Sequence, residues 1–150
     1  MTKHTVIVEM VDIDKLIPYV NNARTHSDDQ IKKIQSSLRE FGFVNPVLID
    51  KDFGIIAGHG RVEAAKRENI KEVPCVMVEY LTDAQKKAYI LADNKLAESA
   101  GWDLDLAELE LKSLLDENFN IEITGFGYDD ITEAPEIAED DFDFEYVTAE

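Results

Sequence analysis

With 150 residues and 45% hydrophobic content the chain is long enough to bury one core, while a formal net charge of −17 excludes a broad grip on DNA phosphates, which needs a basic footprint. A single cysteine, Cys75, excludes an internal disulfide and a cysteine-based zinc site. No stretch approaches the length of a membrane span and the N-terminus shows no cleavage signal, so the expectation is a cytoplasmic protein without a membrane partner.

In chain order, "TVIVEMVDIDKLIPY" opens with β-branched residues and predicts a strand at about 5–10, then a loop. In "NNARTHSDDQIKKIQSSLREFGF", Ser27 is a good N-cap, Asp28 and Asp29 occupy the first turn, and Gln30 completes a capping box. Ile31, Ile34, Leu38 and Phe41 fall on one face of that helix, and Gly42 ends it. "NPVLIDKDFGIIAG" reads as two short strands, Val47 to Asp50 and Gly54 to Ala57, joined through Asp52. A helix from Arg61 to Glu68 follows, then the apolar strand "EVPCVMVEYL". Thr82 caps a long helix, "DAQKKAYILADNKLAES", which Gly101 breaks. Trp102 opens a last, Leu-rich helical stretch and reads as a core plug; "NIEITGFGYDDI" reads as a short strand or turn.

The expected architecture is a single mixed α+β domain over residues 1–132, its helices interleaved between short strands, followed by an acidic segment at 133–150. That segment holds eight acids and no lysine or arginine, and composition predicts a disordered tail or linker. Its aromatics, Phe142, Phe144 and Tyr146, also suit docking on a basic groove, as an acidic DNA mimic or interaction protein would.

The stretch "IIAGHGRVEAAKRENI" carries the chemistry. A strand ending at Gly58 that turns at once into a helix presents unpaired N–H groups, which together with the helix dipole favour an anion. Gly58 and Gly60 allow close backbone approach, Arg61 offers a charged fork, and His59 can donate to a phosphate or act as a general base. The spacing matches neither the Walker loop nor the dinucleotide fingerprint, so on spacing alone a phosphate cradle and a plain strand-to-helix turn both stand.

The succession "IPYVNNARTHSDDQIKKIQSSLREFGFVNPVLID", hairpin, "IIAGHGRVEAAKR", "VPCVMVEYLTDAQKKAYILADNKLAES" resembles the N-terminal domain of the ParB family over roughly residues 8–128. It is most similar to the ParB-like (ParB-like nuclease) domains of phages and of DNA-methyltransferase fusions. The resemblance implies the ParB/sulfiredoxin fold and binding of a nucleoside triphosphate, CTP or ATP, with Mg2+. The family's G-x-x-R phosphate motif matches Gly58, His59, Gly60 and Arg61. Its E-N-x-x-R motif falls on Asp93 to Ala97 and makes Asp93 and Asn94 candidate metal ligands; its N-P-R motif falls on Asn22, Ala23 and Arg24. Asn45 and Val47 are the candidates for backbone contact with the base.

The chain departs from the segregation proteins, which carry G-E-R-R at the phosphate turn. His59 replaces the glutamate that assists hydrolysis, Gly60 replaces an arginine, and Ala97 replaces the arginine of the second motif. A different nucleotide, a smaller phosphate ligand or a bare anion therefore stay open. Sulfiredoxins carry a nucleophilic cysteine where His59 stands, which excludes sulfinic-acid reduction by that route, and Cys75 in its apolar strand reads as an inert core residue. The leading expectation is a nucleotide-binding module in DNA metabolism, in indirect contact with DNA or a DNA-processing protein. A metal-dependent NTPase or nuclease of the same fold, with His59 as base, is the alternative. His26 reads as a cap neighbour, and the Leu104 to Leu115 stretch as core that also suits a homodimer seam.

Overall fold

The computed structural model describes residues 6–22 and 25–131. The chain divides between Gly101 and Trp102 into two compact units. The first holds β1 (Val8–Asp12), α1 (Asp28–Phe41), β2 (Val47–Ile49), β3 (Ile55–Ala57), α2 (His59–Arg67), β4 (Glu72–Met77) and α3 (Asp83–Ser99). Its four strands form one mixed sheet in the order β1-β4-β2-β3. β1 runs antiparallel to β4 with Val8 opposite Val76, β2 runs parallel to β4 with Val47 opposite Cys75, and β2 runs antiparallel to β3. This is the expected mixed α+β sheet with helices between strands.

The core forms where α1 and α2 meet the sheet. Ile31, Leu38, Val47, Ile49, Ile55, Val62, Val73 and Cys75 are all buried in one cluster. Ala64 and Ala65 are wholly buried, and their small side chains let α2 lie close. Ion pairs tie the C-terminal end of α2 to α1. Arg67 donates to Asp28 at 2.7 Å, while Glu68 accepts from Arg39 and from Gln35. Pairs this exposed fix geometry more than they stabilise. Cys75 is inert as expected: it is 1% exposed, burial raises its thiol, and its sulfur lies 3.6 Å from the Val73 carbonyl oxygen.

The caps obey local chemistry. The Ser27 side chain accepts from the Gln30 amide, Gly42 takes φ +83° after α1, and Thr82 forms a reciprocal capping box with Gln85. The box expected at α1 is only half made, because the Gln30 side chain turns to His26 instead. β1 lies later than the 5–10 expected, since its register with β4 runs from Val8 to Asp12. α2 starts at His59 rather than Arg61, because Gly58 at φ +112° already turns the chain into the helix. Phe41 lies off the buried stripe, 52% exposed.

α3 is lightly held. Ile90 is its one buried residue, with Lys86 and Asn94 partly buried one turn to either side. Lys86 reaches Asp50 at 3.0 Å. Asp50 also accepts from the amides of Asp52 and Gly54, each at 2.8 Å, and so closes the β2–β3 turn. Burial opposes charge on Asp50, but the Gly54 amide, Lys86 and the Asp52 amide together hold its carboxyl below the ordinary range.

The second unit holds α4 (Leu104–Asp116) and short helical turns at Ile121–Thr124 and Tyr128–Asp130, where a strand or turn was expected. Leu111, Ile121 and Ile131 form its buried cluster, with Leu114, Leu115 and Phe126 packed against it. Leu104, Leu106 and Leu109 are exposed. Trp102 is no core plug: it is 70% exposed and meets Phe126 edge-on at 4.9 Å. The acidic segment 133–150 lies outside the described residues. No described helix is long and apolar enough to cross a membrane.

Asp50 joins the turn and α3 through one carboxylate. Replacing it, Asp50→Ala, is expected to cost about 2 kcal/mol, because two amides and an ammonium lose a charged partner. Urea denaturation read by circular dichroism measures that loss.

Candidate functional site

α2 begins without help from any side chain. Gly58 is its N-cap in the left-handed region, no cap side chain bonds its amides, and no acid stands in its first turn. The first intrahelical bond runs from the Val62 amide to the Gly58 carbonyl, which leaves the amides of His59, Gly60 and Arg61 at the open positive end. Position 58 needs glycine on two counts. Its φ disfavours any Cβ, and a Cβ there would stand 3.0 Å from Arg61 Nη2 and 3.4 Å from the Val47 Cα.

This helix start opens into a cleft of about 480 Å³. Asn22, Asn45, Gly58, His59, Gly60 and Arg61 all line it, and Asp93 and Asn94 meet them from α3. The structure therefore gathers residues spread across seventy positions of sequence. Val47, expected to offer backbone contact, is not among the residues lining the cleft, and the whole residue is buried. Arg24 lies outside the described residues.

Among the described lining residues Arg61 is the one full cation and Asp93 the one carboxylate. Arg61 Nη2 donates to the Pro46 carbonyl at 2.9 Å, and its buried Nε has no hydrogen-bond partner. Burial pulls the guanidinium below its ordinary value, and Asp93 opposes that pull. A guanidinium stays charged in any protein, so a half-buried one with a buried donor to spare is stabilised by an added anion.

His59 differs from the expected base. The Tyr19 amide donates to its Nε2 at 3.1 Å. Nε2 is therefore the acceptor and Nδ1 carries the proton, which makes the neutral ring a donor. Burial, and secondarily His26, hold His59 below the ordinary imidazole value.

Asp93 and the carbonyl oxygen of Asn94 offer two oxygen donors; the Asn94 amide nitrogen is used on the Ile90 carbonyl at 2.9 Å. Among the described residues no three His, Cys, Asp or Glu side chains gather into a metal-binding group. Such a donor set fits magnesium held mainly by phosphates and water.

Two lining residues escaped the sequence reading, His26 and Tyr89. Tyr89, Asp93 and Ala97 recur every four residues along α3, a spacing that marks one helix face. Burial, Asp93 and Tyr80 raise the Tyr89 phenol.

Because the folded state depresses His59, the unfolded chain binds more protons just below the ordinary imidazole pKa. The stability due to neutral His59 is present above about pH 6.5 and is lost as pH falls through its lower folded value. Urea denaturation at pH 7.5, 6.5 and 5.5 is expected to show this decline, and a shallower one in His59→Gln.

The profile of the ParB N-terminal domain matches residues 1–95. The ParB-like nuclease domain-containing protein YnaK of Escherichia coli K12 is 48% identical over 75 residues, which is 50% of this chain and 86% of that protein. The probable chromosome-partitioning protein ParB of Rickettsia bellii is 38% identical over 72 residues, 47% of this chain but only 25% of that protein. Among solved structures, the C-terminally truncated chromosome-partitioning protein ParB of Caulobacter crescentus, complexed with CTP-γ-S, is similar at a TM-score of 0.65. The two are 24% identical, and the match covers 73% of this chain and 63% of that one. On the domain match and these relatives, the chain belongs to the ParB N-terminal domain family.

Proposed function

We propose that this chain is a nucleotide-binding module working in DNA metabolism, of the phage or methyltransferase-associated type, which holds the phosphates of a nucleoside triphosphate at Gly58–Arg61. The observation that carries the reading is Arg61: a half-buried guanidinium whose buried Nε has no partner, at the uncapped start of α2, in a cleft of nucleotide size. The Caulobacter relative solved with CTP-γ-S supports the ligand class. In this reading Asn45, a cleft-lining residue just before β2, meets the base, and the amides at the start of α2 meet the phosphates.

A magnesium ion bound with the nucleotide would supply charge neutralisation to its phosphates. Asp93 and Asn94 are the residues that would hold it. The donor set does not favour two-metal phosphodiester cleavage, which wants more carboxylates than the described cleft offers. With a net charge of −17, contact with DNA is indirect, through a DNA-processing partner.

Isothermal titration with CTP, ATP, GTP and UTP, with and without magnesium, tests the reading. One nucleotide is expected to bind, and Arg61→Ala to weaken it at least about tenfold, the loss of one charge-assisted contact. Binding by none, or unchanged binding in a folded Arg61→Ala, overturns the proposal. Asp93→Asn is expected to remove most of the difference that magnesium makes in the same titration. Release of inorganic phosphate would favour an NTPase instead.

A further inference from the structure

Gly60 does not face empty space. A Cβ built there would lie 3.0 Å from Cε1 and 3.3 Å from Nδ1 of His26, and 3.1 Å from Cδ1 of Ile34. A side chain at position 60 would crowd the His26 imidazole and Ile34, which would have to give by a few tenths of an ångström. The missing side chain does not open room for a ligand, as the sequence pattern implied. It admits a second imidazole, carried on a different segment of chain, over the first turn of α2.

The hydrogen bonds of the two rings give them different parts. His26 Nδ1 lies 3.1 Å from Gln30 Oε1. An amide oxygen only accepts, so Nδ1 carries the proton and Nε2 holds an unpaired lone pair. His59 is the reverse, with Nε2 already accepting from the Tyr19 amide. Adding a proton to that nitrogen would set N–H against N–H. His59 is therefore a fixed neutral donor, and His26 is the ring with a nitrogen free to gain a proton.

Charge balance gives that proton a purpose. Arg61 and Asp93 face the cleft with opposite charges and nearly cancel. A polyphosphate entering there brings several negative charges against that near-zero sum. Among the described residues, the other polar groups lining the cleft near the rings are Tyr89 on α3, Gln30 on α1, and Asn22, none of them cationic. Imidazole is the side chain that titrates near neutrality, and a neighbouring anion favours its charged form.

We infer that His26 is a phosphate-binding residue of this cleft, admitted by the absence of a side chain at Gly60, and that it takes up a proton from solvent when the anion binds. The inference rests on the nucleotide-binding reading of the same cleft. It replaces the arginine that position 60 lacks with a histidine from the loop before α1.

The test is proton NMR of the histidine rings together with isothermal titration, using CTP, ATP, GTP, UTP and pyrophosphate as probes in non-phosphate buffers. With the binding probe at saturation, the His26 titration midpoint is expected to move up, and that of His59 to stay put. His26→Asn is expected to bind about tenfold more weakly at pH 6.5, with the gap closing toward pH 8.5. Proton uptake, read from buffers of different ionisation enthalpy, is expected to be smaller in His26→Asn than in the native chain. Gly60→Ala, which displaces the ring, is expected to weaken binding similarly, and the double variant to be no weaker than either single one. A probe that binds and depends on Arg61, but leaves His26 unmoved and binds His26→Asn as well as native, overturns this inference alone. Absence of binding by every probe overturns it together with the nucleotide reading.

Discussion

A half-buried positive charge governs the first unit. Arg61 sits where the backbone itself is positively polarised, at the start of a helix with no acidic cap. Nothing in elementary electrostatics recommends placing a guanidinium there for stability, since burying a cation costs free energy unless it is fully paired. The Pro46 carbonyl satisfies one donor and Asp93 answers part of the charge from another helix. The remaining imbalance is held in place by packing around it: Gly58 turned left-handed, Val47 close beneath it, α1 drawn against α2 by small side chains and paired charges. The core is arranged so that a poorly satisfied cation persists, which is how sites for anions differ from ordinary surface arginines.

The departures from the segregation proteins can then be read together. A glutamate at position 59 would add negative charge at the positive end of α2, and a side chain at 60 would crowd His26 and Ile34. His59 and Gly60 are thus linked choices. One contributes a neutral donor locked by the Tyr19 amide, the other makes room for a ring from a separate segment. The cleft keeps an anion-seeking character with fewer fixed charges.

What could be read from the residues follows the range of the interactions. Ser27, Thr82 and Gly42 were legible as caps because capping joins groups two to four positions apart. Gly58 to Arg61, Asp93 and Asn94 were legible because their order resembles a family pattern. The failures are of competition and of long range. Gln30 leaves the box its spacing suits because His26, four positions before it, competes for its side chain. His26 looked bland because its meaning depends on Gly60, thirty-four positions away. Phe41 and Trp102 were assigned to the core by hydrophobicity, but exposure is decided by what packs opposite, which composition does not record.

α3 borders two hollows at once. Tyr89, Asp93, Asn94 and Ala97 wall the cleft, while Lys86, Lys87 and Ile90 wall a second cavity of about 460 Å³ that also touches Ile17 and Val20. Between them the helix is seated by a single greasy side chain, Ile90, with a salt link at one end. A rod on one pivot with open volume to either side rolls cheaply, because rolling trades one void for the other and breaks few dispersion contacts. The wall that carries Asp93 is therefore held by fewer buried contacts than the wall of Arg61, whose helix packs Val62, Ala64 and Ala65 into the core.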